Sequence, residues 1–270
     1  GHLSKILCLN DSFVKRVIAL DASTFVCDKA RHNISKVQNA GIRVYNIRLD
    51  GSDELLNFLC SRIKDLEDEL GQKIFAALVG LHCCGDLQPL ILRLFARLDA
   101  AKIALTVGCC YHKMSSLSKE ARKFNYFPLS DALSNVCREH ELLPISKYSL
   151  RLASQDSKER WLAKSHSALI EHLKFVFFRN IIEKFKTEKA DSFYDNQYGR
   201  MIDFHTNNEG AINRIASYSA LQIPIGDIIE KIILWDRRAF AIESGCNCDV
   251  SQIFDSLLSP RNLLLYCSKS

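Results

Sequence analysis

The feature that most constrains the fold is an alternation of strand-like and helix-like segments along the first part of the chain. Apolar runs typical of strands occur at 16–20, 42–49, 73–81 and 102–108. The stretches between them repeat apolar residues at helical spacing, and Ser52 and Gly71 bound the clearest helix as its N-cap and its terminating glycine. Strands joined by helices of roughly 10 to 20 residues predict βαβ crossovers and an α/β fold with an open, doubly wound, mostly parallel sheet.

The second part of the chain has a different pattern, which is mainly helical. Residues 157–189 predict a long amphipathic helix or a helix pair, and residues 226–245 predict a second helix that ends at Gly245. We therefore expect three regions: a core at 1–150, a helical region at 151–260 with a loop near 187–222, and a late strand at 261–270 that rejoins the sheet.

Composition and charge limit the class of protein. The 270 residues are 47% hydrophobic, enough for a large core, but no run of 18 apolar residues predicts a membrane span. Eleven cysteines without short, loop-rich spacing indicate reduced thiols and an intracellular location, in the cytoplasm or the nucleus. The net charge of +5 permits an anionic partner such as RNA, and no DNA-binding motif occurs.

Chemistry in an open α/β sheet is expected beyond the carboxyl ends of its strands. Asp21 and Asp50 follow the first two predicted strands, and the turn from His82 to Asp86 follows the third. Two interpretations of Asp21 stay open: a carboxylate that accepts hydrogen bonds from ribose hydroxyls, or a turn residue that ends its strand. His82 is a candidate general base, with a loop-fixing hydrogen bond as the alternative.

Two Cys-Cys pairs stand at strand ends, Cys83-Cys84 and Cys109-Cys110. A zinc site needs four convergent ligands, and adjacent cysteines at the end of a strand are expected to point in different directions. A thiolate nucleophile is a second alternative. We favour small, buried, reduced thiols and predict no metal site.

Several blocks of the chain together resemble one known family. They are "GHLS", "VIALDAS", "LVGLHCCGDLQPLILRLFA", "VGCCYHKMS", "FPLSDAL", "IILWDRRAFAIESG" and "IFDSLLSPRNLLL". In order, they resemble the methyltransferase-like protein twenty-five family, also described as ribosomal RNA adenine dimethylase domain-containing. That family belongs to the class I methyltransferase superfamily, so the resemblance implies a Rossmann-like fold and S-adenosyl-L-methionine as the cofactor.

The resemblance also implies where the cofactor is held. Asp21 matches the position that binds ribose, Asp50 the position that faces the adenine, and the His82 turn the reactive end. The residues it assigns to cofactor binding are Gly1, His2, Leu3, Asp21, Ala22, Ser23, Asp50, Gly51, Leu81, His82, Cys84, Gly85 and Asp86.

The chain departs from the family pattern at its beginning. The family has a glycine-rich segment closing its first strand, and only Gly1 to Ser4 of that segment is present here. We therefore expect an N-terminally truncated chain whose sheet lacks a central strand and has two unpaired inner edges.

The predicted function is an S-adenosyl-L-methionine-dependent methyltransferase whose acceptor is an RNA, a protein or a small molecule. The alternative is a non-catalytic scaffold or RNA-associated protein with the same fold. "HCCGD" lacks the prolines and the aromatic residue of adenine-N6 methyltransferases, so the motif does not support the adenine dimethylase description.

Overall fold

The computed structural model describes residues 2–9, 14–36, 41–117, 123–142, 145–186 and 210–269. Gly1, which the resemblance assigns to the cofactor, lies outside these ranges.

The described chain alternates strands and helices up to Gly108 and is mainly helical after it, as predicted. The strands are β1 (Val17–Asp21), β2 (Ile42–Asn46), β3 (Ala76–Cys83), β4 (Ala101–Gly108), β5 (Asn247–Gln252) and β6 (Leu263–Ser268). The helices are α1 (His2–Cys8), α2 (Thr24–Ile34), α3 (Asp53–Leu70), α4 (Leu87–Arg97), α5 (Asp131–Glu139), α6 (Lys147–Leu152), α7 (Lys158–Leu162), α8 (His166–Lys186) and α9 (Ala211–Glu243). One turn of 3₁₀ helix covers Tyr111–Lys113.

The strands form two hydrogen-bonded sheets. The first pairs β1 with β2 in parallel, and the second has the order β3-β4-β6-β5. β3 and β4 are parallel, whereas β6 is antiparallel to both β4 and β5. The α/β class with parallel βαβ units is confirmed, and so is the late strand that rejoins the sheet. Among the described residues, the two sheets share no hydrogen-bonded pair of strands.

α3 holds the two sheets together. Its Ser52 cap and its end at left-handed Gly71 are as predicted. Leu55 and Leu59 of α3 pack with Leu20 of β1 and Leu78 of β3 in one apolar cluster. Because residues of α3 share an apolar cluster with a strand of each sheet, the apolar core is continuous between the two sheets.

The apolar run at 73–81 is of the kind found in strands buried on both faces of a parallel sheet, but β3 is not buried in this way. Ala77, Val79 and Leu81 are exposed, whereas Cys83 and the neighbouring strand β4 are largely buried. An uninterrupted apolar run therefore indicates a strand, but it does not show which face of that strand the described elements bury.

The second part of the chain differs from its prediction at two places. The segment 157–189 forms a helix pair, α7 and α8, up to Lys186, which is one of the two predicted alternatives. The predicted loop near 187–222 is wrong from residue 211 onward because α9 begins at Ala211; residues 187–209 lie outside the described ranges. The region 151–260 also contains β5, which sequence reasoning missed. No described helix is both long and apolar enough to cross a membrane.

Candidate active site at the strand ends

Two matching turns follow β1 and β2, and we call them the aspartate turns. Asp21 is the last residue of β1, whereas Asp50 comes after the end of β2 at Asn46. In the first, the backbone N–H of Ser23 donates to Asp21 Oδ1 (2.8 Å), and in the second the N–H of Ser52 donates to Asp50 Oδ1 (3.0 Å). Each serine then caps the helix that follows, accepting a backbone hydrogen bond at its Oγ. The Asp-x-Ser spacing explains both turns, because an aspartate reaches the backbone two residues onward.

The aspartate turns use only one oxygen of each carboxylate. Among the described residues, Oδ2 of Asp21 and Oδ2 of Asp50 accept no hydrogen bond, so each is available to a donor on a ligand. The Ser52 backbone and hydroxyl hold the pKa of Asp50 below its usual range, which keeps this exposed carboxylate charged. Asp21 therefore serves as the turn residue through its Oδ1, whereas its Oδ2 remains available to a ligand. The assignment of Asp21 to a ribose stays a prediction.

Gly51 and Ala22 are the middle residues of the aspartate turns. Gly51 has a φ of 78°, and a Cβ there would lie 3.1 Å from Leu90 Cδ2. The carbonyl oxygen of Gly51 accepts a hydrogen bond from Arg97 Nη1 (3.1 Å). The second turn is thus tied to α4, whereas Ala22 is exposed.

Leu81 and His82 lie in an irregularity at the end of β3. The register with β4 shifts between Gly80 and Cys83, and His82 has a φ of 62°, in the left-handed region. Non-glycine residues seldom adopt this conformation, and such strain clusters at functional sites. Both side chains are exposed, so the imidazole is accessible to a substrate.

Gly85 and Asp86 join the β3 turn to the loop after β4. The N–H of Gly85 donates to the carbonyl of Cys110 (3.1 Å), and a Cβ on Gly85 would lie 2.6 Å from the Lys113 carbonyl oxygen. Asp86 stands at the N-cap position of α4, but its side chain makes no cap bond. Both of its carboxylate oxygens instead accept from the N–H of Ser115, at 3.0 and 3.1 Å. The two loops are thereby held as one unit.

Three thiols converge on this unit. Sγ of Cys84, Cys109 and Cys110 all lie within 4.8 Å of one another, and we call them the thiol cluster. The expectation that adjacent cysteines cannot share a centre is therefore wrong for Cys109 and Cys110. Burial and the neighbouring thiols raise the pKa of Cys109 to about 12. Cys83, in contrast, points inward and is fully buried.

His112 is a candidate that sequence reasoning did not include among the site residues. Its Nδ1 is buried and has no hydrogen-bond partner among the described residues. Burial, with Arg151 and Lys113 nearby, lowers its pKa below the usual histidine range. A neutral imidazole is able to accept a proton. The position of His112 two residues after Cys110 was the available signal in the sequence.

A network of buried charged side chains contacts Tyr111 in the loop after β4, and we call it the buried charge network. The Tyr111 hydroxyl donates to Glu230 Oε1 (2.9 Å), which also accepts from Arg261 Nη1 (2.6 Å). Arg237, almost fully buried, donates to Gln88 and lies over the Tyr111 ring at 5.1 Å. Glu230 and Arg237 are seven residues apart and so share a face of α9, a spacing that could have predicted a buried charged face.

The predicted site residues fall into two groups. The aspartate turns belong to the two-stranded sheet, and the segment from Leu81 to Asp86 belongs to the four-stranded one. His2 and Leu3 begin α1, which packs against β1 and β2, so they join the first group. Two surface cavities are described, and neither is lined by any of these residues.

Comparisons with known proteins agree with the motif-based resemblance. Residues 1–117 match the family model described as "Methyltransferase domain". The chain is 28% identical over 247 residues to "Probable methyltransferase-like protein 25" of Mus musculus, covering 74% of this chain and 37% of that protein. The human protein of the same name is 26% identical over 236 residues, covering 74% of this chain and 36% of the relative. No solved structure matches the chain significantly.

The matched family segment contains both aspartate turns, the His82 turn and the thiol cluster. The chain spans only about a third of the length of these relatives, at 37% and 36%.

Proposed function

We propose that the chain, which resembles methyltransferase-like proteins, forms the cofactor-binding part of an S-adenosyl-L-methionine-dependent methyltransferase. The observation that carries the proposal is the pair of aspartate turns. Each presents one unused carboxylate oxygen: that of Asp21 at the carboxyl end of β1, and that of Asp50 beyond the carboxyl end of β2. Ligands of open α/β sheets bind at this end of the strands.

The residues of the first aspartate turn fit a ribose. Asp21 Oδ2 accepts no hydrogen bond from the described residues, and a hydroxyl pair on a ligand supplies the donors that a carboxylate binds best. Asp21 Oδ1 is already held by Ser23, so the carboxylate is oriented before a ligand arrives. Less conformational entropy is then lost on binding.

The second aspartate turn fits an amino group. Asp50 stays ionised because Ser52 lowers its pKa, and its Oδ2 accepts from none of the described donors. The left-handed Gly51 beside it has no side chain to obstruct a flat ring. We propose that this turn contacts the adenine.

The Leu81–Asp86 segment is proposed as the reactive end. The bound cofactor supplies an electrophilic sulfonium methyl group. His82 is exposed and is proposed to accept the proton that the acceptor atom loses. Two hydrogen bonds fix this loop, one from Gly85 to Cys110 and one from Ser115 to Asp86. The chain therefore contributes to the reaction mainly by orienting the reacting groups. An RNA acceptor is consistent with the net charge of +5.

Isothermal titration calorimetry with S-adenosyl-L-methionine on the purified full-length protein tests the proposal. We expect saturable binding of one equivalent. Asp21→Asn keeps an oxygen for the Ser23 turn but removes the charge, so affinity should fall about tenfold to a hundredfold, the worth of a charged hydrogen bond.

The matched control is Asp28→Asn, an exposed carboxylate on α2 that pairs with Arg31. Its affinity should equal that of the unsubstituted protein. Equal affinities for Asp21→Asn and Asp28→Asn would reject the ribose assignment. Absence of any binding by folded protein would reject the enzyme proposal and favour a scaffold.

A further inference from the structure

The thiol cluster has the dimensions of a metal site. A Zn²⁺ ion bound by thiolates at about 2.3 Å in tetrahedral geometry places its sulfurs roughly 3.8 Å apart. Sγ of Cys109 and Cys110 are 3.6 Å apart, and all three sulfurs lie within 4.8 Å of one another. Only small side-chain rotations therefore separate the thiol cluster from three ligands around one ion.

The backbone around the thiol cluster is already organised. Cys84 follows β3 and Cys110 follows β4, and these two parallel strands pair as far as Cys83 and Gly108. Beyond that pair, the Gly85 N–H donates to the Cys110 carbonyl at 3.1 Å. Three ligands from two rigid elements lose little conformational entropy when they bind an ion.

The thiol cluster is also accessible. Its three cysteines are partly exposed, so an ion can enter.

Disulfide formation fits the thiol cluster less well. Adjacent residues have Cα atoms about 3.8 Å apart, below the range of roughly 4.4–6.8 Å found in disulfides. A bond between Cys109 and Cys110 would therefore be strained, and a bond from either of them to Cys84 would leave one thiol over. Cys248 and Cys267 differ because they face each other as a buried cross-strand pair; the only described group of three convergent thiols is the thiol cluster.

We propose that Cys84, Cys109 and Cys110 bind a thiophilic metal cation, Zn²⁺ or Cu⁺, as thiolates. Each thiol releases one proton to solvent when its sulfur–metal bond forms. Thiolate ligands select these ions over Mg²⁺ or Ca²⁺, which prefer oxygen. Three protein ligands complete a trigonal Cu⁺ site, or leave the fourth position of a tetrahedral Zn²⁺ site open toward solvent. This inference does not depend on the proposed methyltransferase activity.

Alkylation of the unsubstituted protein gives the first test. The reduced protein is treated with N-ethylmaleimide in the absence of metal, with Zn²⁺, or with Cu⁺ under anaerobic conditions, and each cysteine is quantified by mass spectrometry. We expect either ion to slow modification of Cys84, Cys109 and Cys110 together. Exposed Cys60 on α3 should react equally under all conditions. Uniform reactivity of the thiol cluster with and without both ions would overturn the proposal.

Cobalt binding gives the second test. Co²⁺ replaces Zn²⁺ and reports each thiolate ligand by a charge-transfer absorption band. We expect one equivalent to bind, and each of Cys84→Ser, Cys109→Ser and Cys110→Ser to lose about a third of the band, one ligand in three. Cys60→Ser is the matched control and should keep the whole band. A full band in all three cluster variants would overturn the assignment, and circular dichroism identifies any variant that does not fold.

Discussion

The two groups of site residues are held in place by very different means. The aspartate turns depend on local hydrogen bonds between residues two or three apart and lie at the surface. The loop after β4 depends on Tyr111, Glu230, Arg237 and Arg261; the bonds from Tyr111 to Glu230 and from Arg237 to Gln88 join residues more than a hundred positions apart. The proposed cofactor contacts are positioned mainly by local bonds, with one further bond from Arg97 to Gly51, whereas the proposed reactive end is anchored through the buried charge network. Substitutions in the two groups should therefore differ in cost.

The largest effect is expected for Arg237→Met, which tests how firmly the second group is anchored. The substitution leaves the Gln88 oxygen and nearby negative charge without a buried partner, at a cost of about 3–5 kcal/mol in the free energy of unfolding. Urea denaturation measures the change. The control, Arg238→Met, removes a half-exposed arginine that pairs with Asp249 and should cost no more than about 1 kcal/mol. If Arg237→Met and Arg238→Met lowered the free energy of unfolding equally, the buried charge network would not anchor α9.

Gly85→Ala tests the junction between the β3 turn and the loop after β4. The new Cβ would lie 2.6 Å from the Lys113 carbonyl, on a backbone with a φ of 59°. We expect a loss of about 3 kcal/mol, roughly 1 from the left-handed backbone and 2 from overpacking.

Gly71→Ala is the matched control for that variant. Gly71 has a φ of 66° but nothing within 4 Å of the added Cβ, so only the backbone cost of about 1 kcal/mol applies. Thermal unfolding of both variants separates the two contributions. Similar melting temperatures would contradict the close approach of the two loops.

A smaller effect is expected for the local bonds of the aspartate turns. Ser52→Ala removes the cap of α3 and should lower the free energy of unfolding by about 1 kcal/mol. Ser61→Ala, in the middle of the same helix, should be neutral or slightly stabilising because alanine is the better helix former. Chemical denaturation tests both; a loss of 3 kcal/mol or more in Ser52→Ala would remove the contrast between the two groups.

The most subtle difference is one of pH dependence. Burial raises the pKa of Glu230 above its ordinary value of 4.5, despite the opposing charge of Arg261. A carboxyl whose pKa rises on folding contributes stability that is complete below the unfolded pKa and is lost as pH rises through the folded pKa. Glu230→Gln should therefore lose less stability than the unsubstituted protein as pH rises from about 4.5. Unfolding measured at several pH values tests this, and parallel curves would contradict it.

The elements predicted from the sequence are those that depend on neighbours along the chain. The parallel strands β1 to β4, the Ser52 cap and the glycine end of α3 follow from local spacing and residue type. β5 was missed because "NCDVSQ" has little apolar alternation and pairs only with β6, a partner from later in the chain. The early start of α9 was missed because its first turns follow a polar segment and it tolerates Pro224 in its interior.

The amino-acid sequence by itself determined the α/β class, the positions of the aspartate turns and the family resemblance, because these depend on residues close together in the chain. Only the tertiary structure decided that Asp86 binds Ser115 rather than capping α4, and that Cys84 lies beside Cys109 and Cys110. Both depend on how β3 lies against β4, and such register arises from packing over the whole core. For the same reason, the charged residues of α9 could be recognised as a network only after the helix had packed beneath the site.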